Sequence, residues 1–237
     1  DVKGKIVDFS EYGIPQKRQR YILVGTKKDN AENFFDLLVQ NKVTFFKSKN
    51  FEKDTVSLSD AISDLLQSHG TKESPDTKNF RAGIYAKATT SYQKLMRKDK
   101  NLTKKIASSH RFANHKKETI EKFQYILEFG RANKNISDEI KAKYNIKKRT
   151  VVPLCSNSPT PTLTTLPDDY IHYCEPRILT VREYARIQSF PDSYEFKGGY
   201  TTGGDRRKSD VPRYTQIGNA IPPLFAEQAG LVLKDMI

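Results

Sequence analysis

The stretch from Pro212 to Pro223, P-R-Y-T-Q-I-G-N-A-I-P-P, constrains this chain more than any other. Gly218 and Asn219 are turn formers: glycine accepts positive φ at no steric cost, and asparagine tolerates it better than most residues. Pro222 and Pro223 fix φ near the helical value and suit a helix start. Behind them Leu224, Phe225, Ala226, Ala229, Leu231, Val232, Leu233 and Met236 make an apolar run long enough for a closing helix. The spacing predicts a rigid turn whose backbone and Asn219 side chain can face a ligand. A plain loop-to-helix connection obeys the same local rules.

Near the start, Lys5 to Phe9 reads as a short strand, Ser10 to Pro15 as a turn, and Arg20 to Thr26 as a second strand rich in β formers. An edge hairpin is the simplest arrangement. Between the strands lies Gln16-Lys17-Arg18-Gln19-Arg20. Side chains alternate in an extended chain, so Gln16, Arg18 and Arg20 share one face. That face offers an amide and two guanidinium forks, which suit phosphate and carbonyl oxygens. A charged edge strand that resists aggregation accounts for the same residues.

The charge is unevenly placed. The net charge is +13, and residues 91 to 150 hold 17 Lys+Arg against 6 Asp+Glu, while the rest hold 24 against 22. A basic segment of this kind favours a polyanion such as duplex DNA, although a solvated basic surface needs no partner. Phe112, Phe123, Tyr125, Phe129 and Tyr144 among the charges argue for a folded domain. No run of 18 apolar residues occurs, so no membrane span is expected. No secretory signal is visible either. Cys155 and Cys174 lack metal-ligand spacing and read as small buried or half-buried side chains, which fits a reducing cytoplasm. His110 and His115 have no third ligand nearby; contact with phosphate or base is expected of them, and no metal. The chain begins at Asp1 and reads as part of a longer product or as a trimmed one.

Other elements follow from pattern. Asn33 to Val39 is a short apolar helix or strand. Ser57 is a plausible N-cap for a helix to Gln67, with Leu58, Ala61, Ile62, Leu65 and Leu66 on one side. Ser68 to Asn79 reads as a loop. Lys117 to Arg131 and Ser137 to Tyr144 read as helices. Val151 to Cys155, the Ser158 to Pro167 run and Tyr170 to Cys174 are candidate strands, the middle one carrying hydroxyls for phosphates or turn caps. Thr180 and Glu183 have capping-box spacing, so a helix is predicted from Val181, ending at Ser189 to Pro191. Lys197 to Val211 is a loop rich in glycine and charge.

Three of these stretches, in order, resemble the DNA (cytosine-5) methyltransferases. Tyr-Gly-Ile-Pro-Gln-Lys-Arg-Gln-Arg-Tyr is similar to the family's Gln-x-Arg-x-Arg segment. The run from Arg177 to Phe196 resembles the segment that supports the recognition domain. Gly-Asn-Ala-Ile-Pro-Pro, preceded by Arg-Tyr-Thr-Gln-Ile, looks like the last motif. The resemblance implies that Arg20 reaches O2 of a flipped cytosine, with Gln16 and Arg18 beside it. It implies that the closing turn, through Asn219 and Ile221, completes a site for S-adenosylmethionine; isoleucine replaces the family's usual valine. The basic middle corresponds to the variable target-recognition domain, whose partner is double-stranded DNA.

The family's other parts are missing. A Pro-Cys pair normally supplies the nucleophile, whereas Leu154 precedes Cys155 and Tyr173 precedes Cys174. No Glu-Asn-Val tripeptide occurs, and no Gly-rich turn follows a first strand. The resemblance therefore implies a C-terminal part, or one subunit of a split enzyme. An N-terminal half would bring the cysteine that adds to C6, the glutamate on the base edge and most of the cofactor pocket. The expected fold is α/β: the edge hairpin and closing helix of a Rossmann-like methyltransferase sheet, plus a mixed, irregular recognition domain. The expected divisions are 1–27 (hairpin), 28–176 (recognition domain with connecting segments) and 177–237 (return to the catalytic domain). Alone, such a chain is expected to be inactive and to expose apolar surface. Two other readings stay open: a non-catalytic DNA-binding or regulatory subunit of the same fold, and a member acting on RNA, against which the long recognition region argues.

Overall fold

The computed structural model describes residues 1–27, 30–52, 54–98, 106–201 and 210–236. Strands β1 (Val2–Asp8) and β2 (Gln19–Gly25) form the expected antiparallel hairpin, in register from Val2 opposite Gly25 to Asp8 opposite Gln19. Alternation sorts the two faces. Val7 and Val24 are buried, while Val2, Ile6, Tyr21 and Leu23 are 62, 70, 66 and 65% exposed on the opposite face. The connection is a 3-10 turn, Phe9–Tyr12, ended by Gly13 at φ 78°. Phe9 and Tyr12 both pack on Phe225, with ring centroids 4.4 and 5.5 Å away.

Helix α1 (Glu32–Ser48) is much longer than the Asn33 to Val39 element expected. Phe34, Phe35, Leu38, Phe45 and Phe46 bury one stripe along it, and the polar Gln40-Asn41-Lys42 run between them lies on exposed or half-exposed positions. Helix α2 (Leu58–Ile62) starts as expected with Ser57 in a full capping box with Asp60, but 3-10 turns at Ser63–Leu65 and Gln67–His69 replace its second half. Strands β3 (Thr71–Glu73), β4 (Arg81–Ile84) and β5 (Ile106–Arg111) form an antiparallel three-stranded sheet. Its first strand lies inside the stretch expected to be loop. Helix α3 (Ser91–Met96) stands between β4 and β5 in the chain, capped by Thr90.

Helices α4 (Lys117–Phe129) and α5 (Asp138–Lys143) form as expected, the latter with Ser137 accepting from the Ile140 N–H. They enclose a small separate core of Phe123, Ile126, Ile136, Ile140, Val151 and Ile171. Strands β6 (Val152–Pro153) and β7 (Tyr170–Ile171) pair in parallel. The Ser158 to Pro167 run forms no strand of its own, although Thr160 makes a parallel bridge to Gln16.

Helix α6 (Val181–Ile187) is buried along its whole length and has the expected capping box, Thr180 with Glu183. Helix α7 (Arg213–Asn219) and helix α8 (Pro223–Asp235, with Pro223 first) close the chain. The large core runs from Val7 of β1 through Leu58, Tyr92 and Tyr184 to Val232 of α8. Most of the glycine-rich loop expected at Lys197 to Val211 lies outside the described residues. No described helix is long and apolar enough to cross a membrane.

Candidate functional site

The two stretches singled out from sequence meet in space. The segment from Pro15 to Lys17 pairs with the chain around Thr160: Thr160 N–H donates to Pro15 O at 3.0 Å, and Lys17 N–H donates to Thr160 O at 2.8 Å. Gln16 is buried between them, its Oε1 accepting from the Leu163 N–H at 2.9 Å. The Thr160 and Thr162 hydroxyls donate to Pro15 O and Lys17 O. Thr164 donates to Asp169 Oδ2. These hydroxyls bond within the chain, and Thr164 Oγ1 also accepts from the Leu166 N–H, which fits the turn-capping alternative of the two uses expected.

Alternation along Gln16, Arg18 and Arg20 holds, but depth separates the three. Gln16 and Arg18 are buried, and Arg20 is exposed, its Nη1 donating to the neighbouring Gln19 carbonyl at 2.7 Å. Arg18 reaches 200 residues along the chain, where its Nη2 donates to Gly218 O at 3.0 Å. Burial, and then the charge of Arg20, push the Arg18 guanidinium down to about 10. Among the described residues, Gln16 Nε2 and Arg18 Nε have no hydrogen-bond partner. Arg18, expected beside Arg20, is instead buried against the closing turn.

The turn departs from its expected conformation. Gly218 and Asn219 are the last residues of α7, and neither has positive φ. Gly218 is needed for a different reason: a Cβ there would stand 2.9 Å from Thr164 O and 3.2 Å from Thr165 Cγ2. The carbonyls at the end of a helix lack intrahelical partners. Here Gln188 Nε2 donates to Ile217 O at 3.2 Å, and Arg18 takes Gly218 O. At the start of α8, the Leu224 N–H donates to Ser189 Oγ at 3.1 Å. Ser189 holds φ 60° to do so. The turn is fixed from three sides, yet Asn219 and Ile221 point outward, Ile221 being 60% exposed.

Behind this surface, α6 concentrates charge without exposing it. Arg186 donates to Asp64 and Asp192 and to Ala61 O. Arg182 donates to the carbonyls of Ser108, Pro191 and Tyr194. Arg177 grips Glu183 with two bonds of 2.7 and 2.8 Å. Burial alone would raise the Glu183 carboxyl, but the Arg177 charge and hydrogen bonds outweigh it and hold it at about 2.

His110 is no phosphate contact. It is buried, with Nδ1 2.9 Å from Thr180 Oγ1 and Nε2 2.9 Å from Leu65 O. A carbonyl only accepts, so Nε2 carries the proton and the Thr180 hydroxyl donates to Nδ1. His115 is half-buried and accepts from the Ile178 N–H at 3.3 Å. Cys155 is half-buried as expected, whereas Cys174 is exposed. Among the described residues no group of three or more His, Cys, Asp or Glu is placed to hold a metal. Sequence reasoning missed Gln188 and Ser189 as parts of the turn's support. The only local signal for them was their place just after the apolar face of α6.

Comparison with known proteins fits this geometry. The family model for the C-5 cytosine-specific DNA methylases matches residues 1–235. The chain belongs to that family. Among its relatives, the type II methyltransferase M.DdeI of Desulfomicrobium norvegicum is 31% identical over 236 residues, covering 94% of this chain and 51% of that protein. The type II methyltransferase M.AquIB of a Picosynechococcus strain is 33% identical over 131 residues, which cover 54% of this chain and 88% of M.AquIB. A crystal structure of an E. coli prophage protein described as a DNA modification methyltransferase superposes with a TM-score of 0.64 at 22% identity. It covers 99% of this chain and 60% of that one, and supports the fold alone. This methylase chain spans about half the length of the first curated relatives it matches.

Proposed function

We propose that this chain is the C-terminal part of a DNA (cytosine-5) methyltransferase that works with an N-terminal half, whether on the same polypeptide or a separate subunit. The carrying observation is the pairing of a braced turn with outward-facing Asn219 and Ile221, linked through Arg18 to an outward-facing Arg20. The exposed apolar hairpin face supports the same reading, since a contiguous apolar surface marks an interaction site. M.AquIB adds support, being a relative that this region nearly spans by itself.

In this reading residues 1–27 are the edge hairpin of the catalytic domain, 28–176 the recognition domain with connecting segments, and 177–237 the return to the catalytic domain. Arg20 donates to O2 of a cytosine flipped out of double-stranded DNA. The absent half contributes the Pro-Cys nucleophile and the base-edge glutamate. Asn219 and Ile221 offer an amide and an apolar β-branched side chain, a set that fits one side of a nucleoside ligand. S-adenosylmethionine, when bound, supplies the methyl group. The basic segment contacts phosphates and positions the protein on the duplex. The setting is a restriction-modification system in the cytoplasm.

The test is the native mass of the species holding this chain, followed by a labelled-methyl assay on duplex DNA. A mass well above 27.2 kDa, with methyl transfer to C5 of cytosine, is the expected result. A species near 27.2 kDa that binds DNA and transfers nothing would replace this reading with a non-catalytic binding subunit.

A further inference from the structure

We infer that Arg18 is a positioning residue that couples the cofactor turn to the base-binding strand, and that it touches neither DNA nor cofactor. The inference rests on the function proposed above and assigns Arg18 a task within it.

The geometry is specific. Gly218 O belongs to the last turn of α7, and Gly218 is buried. A buried carbonyl needs a donor. Arg18 Nη2 provides it at 3.0 Å, and a charged donor makes the stronger kind of hydrogen bond. The residue after Gly218 is Asn219, which faces outward. Two residues after Arg18 stands Arg20, about 7 Å further along an extended chain. One buried bond therefore sets the distance between the two outward-facing groups.

The surroundings make the link stiff. Gln16 is fixed on the Leu163 N–H, and Pro15 and Lys17 on Thr160. The Thr164 carbonyl lies so close to Gly218 that no side chain fits between them. The segment before β2 is thus bridged to the Thr160 segment, and Arg18 ties it to the turn. A shift of the turn on cofactor binding must move Arg18, and with it the backbone that carries Arg20.

The experiment uses the complete enzyme, with the half that bears the nucleophile. Arg18→Met keeps most of the volume and removes the donors; Arg18→Lys restores one charged donor. Calorimetry measures S-adenosylmethionine binding without DNA, then DNA binding with and without S-adenosylhomocysteine. Arg18→Met is expected to weaken cofactor binding about 10-fold or more, to change DNA affinity without cofactor by less than about 3-fold, and to abolish the mutual enhancement of the two ligands. Arg18→Lys is expected to recover part of that enhancement. Arg18→Met that loses DNA affinity while cofactor affinity and coupling stay at wild-type level would overturn the inference and make Arg18 a direct contact. Should Arg18→Met not fold, Gly218→Ala disturbs the same junction from the other side; a folded Gly218→Ala enzyme with unchanged cofactor affinity and coupling overturns it equally. A wild-type enzyme that binds no S-adenosylmethionine would instead sink the proposed function, and this inference with it.

Discussion

Arg186 and Arg20 carry the same guanidinium and are used in opposite ways. Arg186 lies in α6 with no exposure, and Ala61 O, Asp64 and Asp192 take its donors. Arg20 lies at the start of β2, exposed, and among the described residues its guanidinium bonds to the carbonyl next door. The contrast extends to their regions. Around α6 each charge answers another within the chain, as Arg177 answers Glu183 and Glu175. Around Arg20, Asn219 and Ile221 the backbone is tightly held while the side chains are left open. A side chain left open on a backbone held by its neighbours is what a contact surface requires.

The largest effect expected from this contrast is on stability at α6. Arg186→Ala takes one cation from two buried carboxylates, leaving Asp64 to Arg97 at 3.2 Å and Asp192 to Arg182 at 3.9 Å; breaking such a buried pair costs up to about 3–5 kcal/mol. Urea unfolding of the complete enzyme should show it as a lower midpoint. A variant that unfolds like wild type would mean that Arg97 and Arg182 suffice for Asp64 and Asp192, and that Arg186 is not the cation that holds α6.

Arg20→Ala should do the reverse. Stability should change by less than about 0.5 kcal/mol, as at other exposed positions. Methyl transfer should fall by about 10²–10³-fold in kcat, the range seen when a single donor to a reacting carbonyl is removed. Unchanged transfer would remove Arg20 from the site and leave the strand as a charged edge. A loss of stability equal to that of Arg186→Ala would erase the contrast itself.

The two regions also differ in how legible they were. Local chemistry announces its own ends: Ser57 and Thr180 cap helices where their spacing predicts, and Pro223 opens the last one. The hairpin followed from β formers on either side of a turn. Contacts distant in sequence were not legible. Gly218 reads locally as a positive-φ turn residue, yet it is required by Thr164, 54 positions earlier, pressing against it. Arg18 reads as half of a fork pair on an open strand, and nothing near it points to a carbonyl 200 residues away. His110 stands among serines and asparagines and reads as surface, although its partners Leu65 and Thr180 lie on other elements. The apolar run of α1 reads as ending at Val39, whereas Phe45 and Phe46 return to the buried stripe two turns after Leu38.

The smallest of the three effects is a titration, and it belongs to the braced region. Burial lowers His110 to about 4, with the nearby Arg177 charge adding to it; Glu183, Asp192 and the Leu65 carbonyl pull the other way without prevailing. Burial and Arg177 lower His172 to about 3. An unfolded chain binds these protons near pH 6.5. As pH falls below that value the unfolded state takes up protons that the folded state refuses, so stability drops until the folded groups titrate. Between pH 6.5 and 5 each histidine costs about 2 kcal/mol at most. Glu183 acts lower: its depressed carboxyl contributes stability that is lost only between the unfolded carboxylate range and about 2. The melting temperature of the complete enzyme should therefore begin to fall below pH 6.5, well before any carboxylate of α6 titrates. His110→Gln keeps a donor for Leu65 O and cannot take up a proton, so it should remove the His110 share of that slope. A slope that the substitution leaves unchanged would show that His110 is protonated in the fold, and that the region behind the turn holds enough water to make it so.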